Sequence, residues 1–253
     1  MTAPGSSRSY CHFDIYRDGL FLGQIGTKSI GSTVMAEYDL GEGEKEIKIY
    51  LPWSASVTLT RLSLDDGASL SPIKKSRSML IYGDSITQGY DTMYPSLSYA
   101  NLLADALDAD AQNKAIGGEF FRPALAEASE ADPDIITVAY GTNDWSKKTR
   151  EDFDRNSESF YRVLSEKYPR AKIFAITPIW RADCNRITGV GEFSYVAEHI
   201  ERVCADLPNV TVLHGFDCVP KDEKLFSDLY LHPNENGFIP YFTNIYAMMK
   251  QYL

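Results

Sequence analysis

The hydrophobic pattern of this 253-residue chain changes period near Ser78. From Tyr10 to Leu64 the apolar residues come in short segments, CHFDIY, LFLGQI, TVMAEYDL, EIKIYL and SVTLTRLSL, broken by turn residues such as Arg17-Asp18-Gly19 and Gly41-Glu42-Gly43. In EIKIYL and VTLTRLSL every second residue is apolar, the signature of strands with one buried face. A small sandwich or sheet of antiparallel strands is expected there, followed by a linker from Asp65-Asp66-Gly67 through Ser78. Beyond Ser78 the apolar runs MLIY, IITVAY and IFAI are continuous, as in strands covered on both faces, and they alternate with helical segments. Tyr99, Leu102, Leu103, Ala106 and Leu107 recur at i, i+3, i+4, i+7 and i+8, and similar stripes run from Phe193 to Leu207 and from Phe238 to Tyr252. All three stripes read as core packing against a parallel sheet. Residues 1–72 are expected to form a β module and 73–253 an α/β domain, a length that accommodates both units.

Charge narrows the partners. The formal net charge is −10, with no basic stretch to offset it, so phosphate backbones and anionic lipid are repelled; neither nucleic acid nor membrane is expected as a partner. The beginning of the sequence has no basic segment followed by an apolar run, and no stretch is long enough to span a bilayer; a cytoplasmic location is the expectation, although a piece of a longer or secreted chain would read the same. Cys11, Cys184, Cys204 and Cys218 are widely spaced without a C-x-x-C pair, which suggests reduced thiols and neither a zinc site nor a disulfide framework. No metal or organic cofactor is expected. The sequence leaves a homo-oligomer open.

Four short blocks carry chemistry. Ser85 follows MLIY in Gly83-Asp84-Ser85-Ile86-Thr87-Gln88-Gly89, where a strand's carboxyl end should meet the ligand crevice; alone, a serine between strand and helix reads as a cap or turn residue. Gly117-Gly118 allows a backbone N–H to approach a ligand, or forms merely a loop. Asn143, in Gly141-Thr142-Asn143-Asp144-Trp145 after IITVAY, presents an amide donor suited to a developing oxyanion, or an Asx turn. His232, in Asp228-Leu229-Tyr230-Leu231-His232-Pro233-Asn234, precedes the last helix; of the four histidines, His12, His199 and His214 lie in contexts less suited to catalysis.

In this order the blocks resemble the SGNH (GDSL-type) hydrolase family, and the resemblance extends over most of the chain from Ser78 onward. It implies a flavodoxin-like three-layer α/β/α sandwich with a parallel sheet, here preceded by the small all-β module. It also implies Ser85 as nucleophile, Gly118 and Asn143 as oxyanion donors together with the N–H of Ser85, and His232 as base. The family's final block places an aspartate three residues before the histidine, where this chain has Leu229. Asp228, four residues before, becomes the acid if the turn carries one extra residue; otherwise a backbone carbonyl holds the imidazole tautomer.

Those roles describe acyl transfer through a covalent intermediate at Ser85, resolved by water. Asp84, Trp145, Trp180 and Arg181 are candidates for substrate contact, because the sheet's carboxyl edge should gather them; the tryptophans equally suit packing under a loop. A β module ahead of such a domain is similar to bacterial carbohydrate esterases that remove acetyl groups. The expected substrate is therefore a small-molecule or oligosaccharide ester, with an acetyl group foremost. The rival readings are a lipase, lysophospholipase or thioesterase of the same family, and a carbohydrate-binding protein whose hydrolase centre is inactive.

Overall fold

The computed structural model describes residues 11–27 and 33–253; Tyr10, where the expected β pattern begins, lies outside them. Strands β1 (Cys11–Arg17) and β2 (Leu20–Thr27) form an antiparallel hairpin. Asp18 and Gly19 turn it with φ of 51° and 76°, the positive pair that a two-residue turn needs to match strand twist. β3 (Ile47–Tyr50) pairs with the other edge of β1, giving the order β2-β1-β3.

Two segments expected to join this sheet do not. TVMAEYDL and SVTLTRLSL take part in no strand ladder, and Leu59 and Leu62 are 75% and 56% exposed. A period-2 pattern yields a strand only where an edge receives its backbone and a face buries alternate side chains. Neither condition is met at 56–64. Tyr38 instead lays its phenol on Gly23 of β2, where an added Cβ would stand 3.2 Å from the hydroxyl oxygen.

The second sheet is parallel, with β4 (Arg77–Gly83), β5 (Ala109–Asn113), β6 (Ile135–Ala139), β7 (Lys172–Ile176) and β8 (Val210–Leu213) in the order β5-β4-β6-β7-β8. Alternate residues of the central strands feed two cores. Met79 and Ile81 face one side, packed by α2 (Tyr99–Ala106) and α7 (Glu235–Met249). Leu80 and Tyr82 face the other, packed by α5 (Arg150–Lys167) and α6 (Ser194–Cys204). This is the flavodoxin-like three-layer α/β/α arrangement, with the strand order reversing between β4 and β6. Ligands of such sheets bind beyond the carboxyl ends of the strands at that reversal.

The small sheet is held to the α/β part of the chain through polar contacts. Asp14, fully buried, accepts from Gln24 Nε2 and from the N–H of Ser96, each at 2.9 Å, so its carboxylate is satisfied on both oxygens. Gln24 also donates to Met93 O at 2.9 Å, and Lys48 and Tyr50 of β3 both bond Asp105 of α2.

Candidate active site

β4 ends at Gly83, and the chain turns at once into the single helical turn α1 (Ser85–Gln88). The turn is tight enough that a Cβ on residue 83 would lie 2.1 Å from Thr87 Oγ1, so only glycine fits. Asp84 caps the turn, accepting from the N–H of Ile86 at 3.0 Å. The substrate contact expected of Asp84 does not hold: it is 2% exposed and committed to its cap. Burial, only partly offset by the Ile86 N–H bond and by His232 and Arg181, raises its pKa to about 6. Ser85 is the first helical residue, a position whose N–H has no intrahelical acceptor.

Ser85 Oγ lies 2.8 Å from His232 Nε2, and His232 Nδ1 lies 2.7 Å from Asp228 Oδ2. The aspartate one residue out of register therefore reaches the imidazole. Leu229 makes this possible by adopting φ of 59°, a left-handed conformation that folds the additional residue into the turn. The other carboxylate oxygen, Oδ1, accepts from the N–H groups of Tyr230, Leu231 and His232 at 3.0, 2.7 and 3.1 Å. Burial works to raise the Asp228 pKa, but the His232 side chain and these N–H donors outweigh it and hold the carboxyl well below the usual carboxylate range. The loop is pinned at its base, where Ser227 N donates to His232 O at 2.7 Å and Asn234 N to Leu225 O at 2.9 Å. Asn234 then caps α7.

After β6, Gly141 takes φ of 117° and opens α4 (Thr142–Lys147), which carries Asn143. β4 and β6 are hydrogen-bonded neighbours, so the residues that follow them emerge side by side. The glycine loop lies on the opposite flank of β4. Glu119 N donates to Ile116 O at 3.2 Å, closing a turn in which Gly118 has φ of 80°. The N–H of Gly117 is taken by Gln88 Oε1 at 2.7 Å, whereas that of Gly118 has no partner among the described residues. Asn143 Nδ2 donates to Glu119 O at 3.2 Å, tying the asparagine to this turn and leaving its second amide hydrogen. Ser85, Gly118, Asn143, His232 and Asp228 are thus assembled at one sheet edge.

Two further expected substrate contacts fail. Trp145 is fully buried, with its indole N–H donating to Gly191 O at 2.9 Å. Arg181 is 4% exposed and acts as a strut: it donates to Thr142 O and Oγ1 at 3.2 and 3.0 Å, to Tyr230 OH at 2.8 Å, and pairs with Asp183 at 2.5 Å. The guanidinium thereby links the helix of Asn143 to the loop of His232. Trp180 is half-buried, its ring edge-on to Phe226 at 5.3 Å. Sequence reasoning missed a different aromatic pair: Tyr90, whose ring centroid is 4.8 Å from that of His232, and Trp53, 4.7 Å from Tyr90. Tyr90 had a signal in its nearness to Ser85, but Trp53, in the N-terminal part of the chain, had none.

Elsewhere, His199 is buried in α6 and bonded to Ser157 at 3.0 Å, a packing role. The four cysteines carry free thiols. Among the described residues no helix is long and apolar enough to cross a membrane.

The sequence profile of the GDSL-like Lipase/Acylhydrolase family matches residues 81–238, which include Ser85, Gly118, Asn143, Asp228 and His232. No curated protein matches the chain. Among solved structures, the salicylyl-acyltransferase SsfX3 from a tetracycline biosynthetic pathway is similar in fold with a TM-score of 0.82 at 21% identity, over 100% of this chain and 76% of that one. A family two carbohydrate esterase from Clostridium thermocellum, in complex with cellohexaose, gives a TM-score of 0.74 at 21% identity over 97% and 87% of the two chains. Another family two carbohydrate esterase, from Cellvibrio japonicus, gives 0.68 at 19% over 97% and 83%. The profile match spans more than half of the sequence, and the chain belongs to the GDSL-like lipase/acylhydrolase family.

Proposed function

We propose that the protein is a serine esterase acting on small acyl esters, acetyl foremost, carried by carbohydrates. The observation that supports it is the unbroken chain of hydrogen bonds from Ser85 Oγ through His232 to Asp228, at 2.8 and 2.7 Å. In this reading His232 Nε2 takes the Ser85 proton as Oγ attacks the ester carbonyl, and Asp228 holds the proton on Nδ1 and stabilises the imidazolium. The N–H groups of Ser85 and Gly118 and the free amide hydrogen of Asn143 meet the oxyanion. His232 then protonates the departing alcohol, and water, deprotonated by the same imidazole, releases the acid.

The carbohydrate part of the proposal rests on the fold shared with the two esterases and on the half-buried Tyr90 beside His232, since an aromatic face suits a sugar ring. Asp228 within reach of the imidazole argues against an inactive carbohydrate-binding protein, whose only sequence support besides the β module was the displaced acid. A lipase would need an apolar acyl channel, and the polar contacts around Ser85 offer no support for one. The fold shared with an acyltransferase makes an acceptor hydroxyl in place of water the second fate of the acyl group to measure.

The test is acetate release from a panel of acetylated sugars and oligosaccharides, beside p-nitrophenyl esters of increasing chain length. Ser85-dependent turnover favouring acetyl supports the proposal. Equal turnover by wild type and Ser85→Ala refutes it, and preference for chains of eight or more carbons moves the assignment to a lipase.

A further inference from the structure

Gln88 closes α1 and ties its side-chain amide to two distant backbone groups: Nε2 donates to Trp53 O at 3.0 Å, and Oε1 accepts from Gly117 N at 2.7 Å. A neutral amide both donates and accepts in one plane, which a charged or apolar side chain of that length does not. The glycine turn it grips stands directly beside the serine, since a Cβ added to Gly117 would lie 3.7 Å from Ser85 Cβ and 3.3 Å from Gln88 Oε1. With Gly117 N engaged, the next amide, that of Gly118, is the one left to face outward.

Trp53 is anchored from its other end as well. Its indole Nε1 donates to Thr92 O at 2.8 Å, and its ring lies 4.7 Å from Tyr90, which lies 4.8 Å from the His232 ring. One residue from the N-terminal part of the chain therefore touches both halves of the site: its main chain supports the glycine turn through Gln88, and its ring backs the imidazole through Tyr90.

We infer that Gln88 and Trp53 are positioning residues of the active centre, Gln88 holding the Gly117-Gly118 turn against Ser85 and Trp53 wedging Tyr90 onto His232. The inference rests on the esterase reading. It makes the segment that follows β3 a working part of catalysis. Neither residue touches the ester, so loss of either misplaces donors and base without removing them. A displacement of about 1 Å costs on the order of a hundredfold in rate.

The experiment uses the full chain with p-nitrophenyl acetate, comparing wild type, Ser85→Ala, Gln88→Met, Trp53→Ala and Trp53→Phe. Amide hydrogen exchange at Gly117 is followed in parallel by NMR. Gln88→Met should lower kcat by about tenfold or more with KM within about twofold, and Gly117 exchange should accelerate by a similar factor. Trp53→Ala should lower kcat to a like extent, and Trp53→Phe should restore most of it by returning an aromatic ring to Tyr90. Each kcat is referred to the folded fraction measured by thermal denaturation. Wild-type kcat in folded Gln88→Met, or unchanged Gly117 exchange, overturns the inference while Ser85-dependent turnover leaves the esterase reading standing. Turnover that survives Ser85→Ala overturns both.

Discussion

Replacing Asp228 by asparagine separates its charge from its shape. Oδ1 accepts three backbone N–H groups, from Tyr230, Leu231 and His232. The amide NH2 of an asparagine cannot stand there, donor against donor, so its oxygen must take that place. The NH2 is then forced to the position of Oδ2, 2.7 Å from His232 Nδ1. A donor facing Nδ1 stabilises the tautomer that carries its proton on Nε2, the atom 2.8 Å from Ser85 Oγ, and that tautomer has no lone pair to receive the serine proton. The same change in a serine protease triad lowers kcat about 10⁴-fold. A similar factor is expected for Asp228→Asn, which at 1.36 kcal/mol per decade is about 5 kcal/mol of transition-state stabilisation. The assay is kcat and KM for p-nitrophenyl acetate near pH 8, with circular dichroism to establish folding. A folded Asp228→Asn variant within about tenfold of wild type, in a background where Ser85→Ala is inert, refutes the assignment of Asp228 as the acid.

Five further variants have expected outcomes. Asn143→Ala should lower kcat by about 10²–10³-fold, the cost of one oxyanion donor, with little change in KM. Asp144, fully buried in α4, has its pKa raised to about 7, chiefly by desolvation and against the bond from Phe121 N–H. Because the native state then binds more protons than the unfolded one, this group makes stability fall as pH rises from the unfolded value toward 7. Denaturant titrations should show the gap between Asp144→Asn and wild type moving by about 2–3 kcal/mol in favour of the variant between pH 5 and pH 8, and a constant gap would contradict the buried carboxyl. Arg181→Met removes the bonds to Thr142 and Tyr230 but leaves Asp183 paired with Arg186 at 2.6 Å, and should cost about 1–3 kcal/mol, read as a fall in unfolding free energy. Gly83→Ala drives a methyl group into Thr87 and should displace α1, removing turnover and lowering Tm, whereas Gly118→Ala meets nothing within 4 Å and should cost only about 1 kcal/mol for its positive φ.

The parallel sheet and its helical stripes were legible in the sequence because burial on two faces leaves a pattern that no neighbour can alter. Ser85, Asn143 and His232 were legible because each follows or precedes an element whose end is marked by its own residues. The failures share a cause. Trp145 and Arg181 do lie at the sheet's carboxyl edge, but position along a strand does not reveal whether a side chain turns outward or inward, and both turn inward to bonds with Gly191, Thr142 and Tyr230. The alternation at 56–64 was real, and what it lacked was an edge to pair with. Gln88 and Trp53 went unseen because a contact across 35 residues, made through one backbone oxygen, leaves no pattern in either segment.

The left-handed residue in the acid–base turn acts as a length buffer. All three amides that grip Asp228 Oδ1 belong to residues after Leu229, and Leu229 itself is 59% exposed. The additional residue is absorbed by a single backbone angle and projects its side chain outward, so neither the start of α7 nor the reach from carboxylate to imidazole has to shift. Distance along the chain and distance between reacting atoms are thereby uncoupled: one more residue between acid and base lengthens the loop without lengthening the proton path they share.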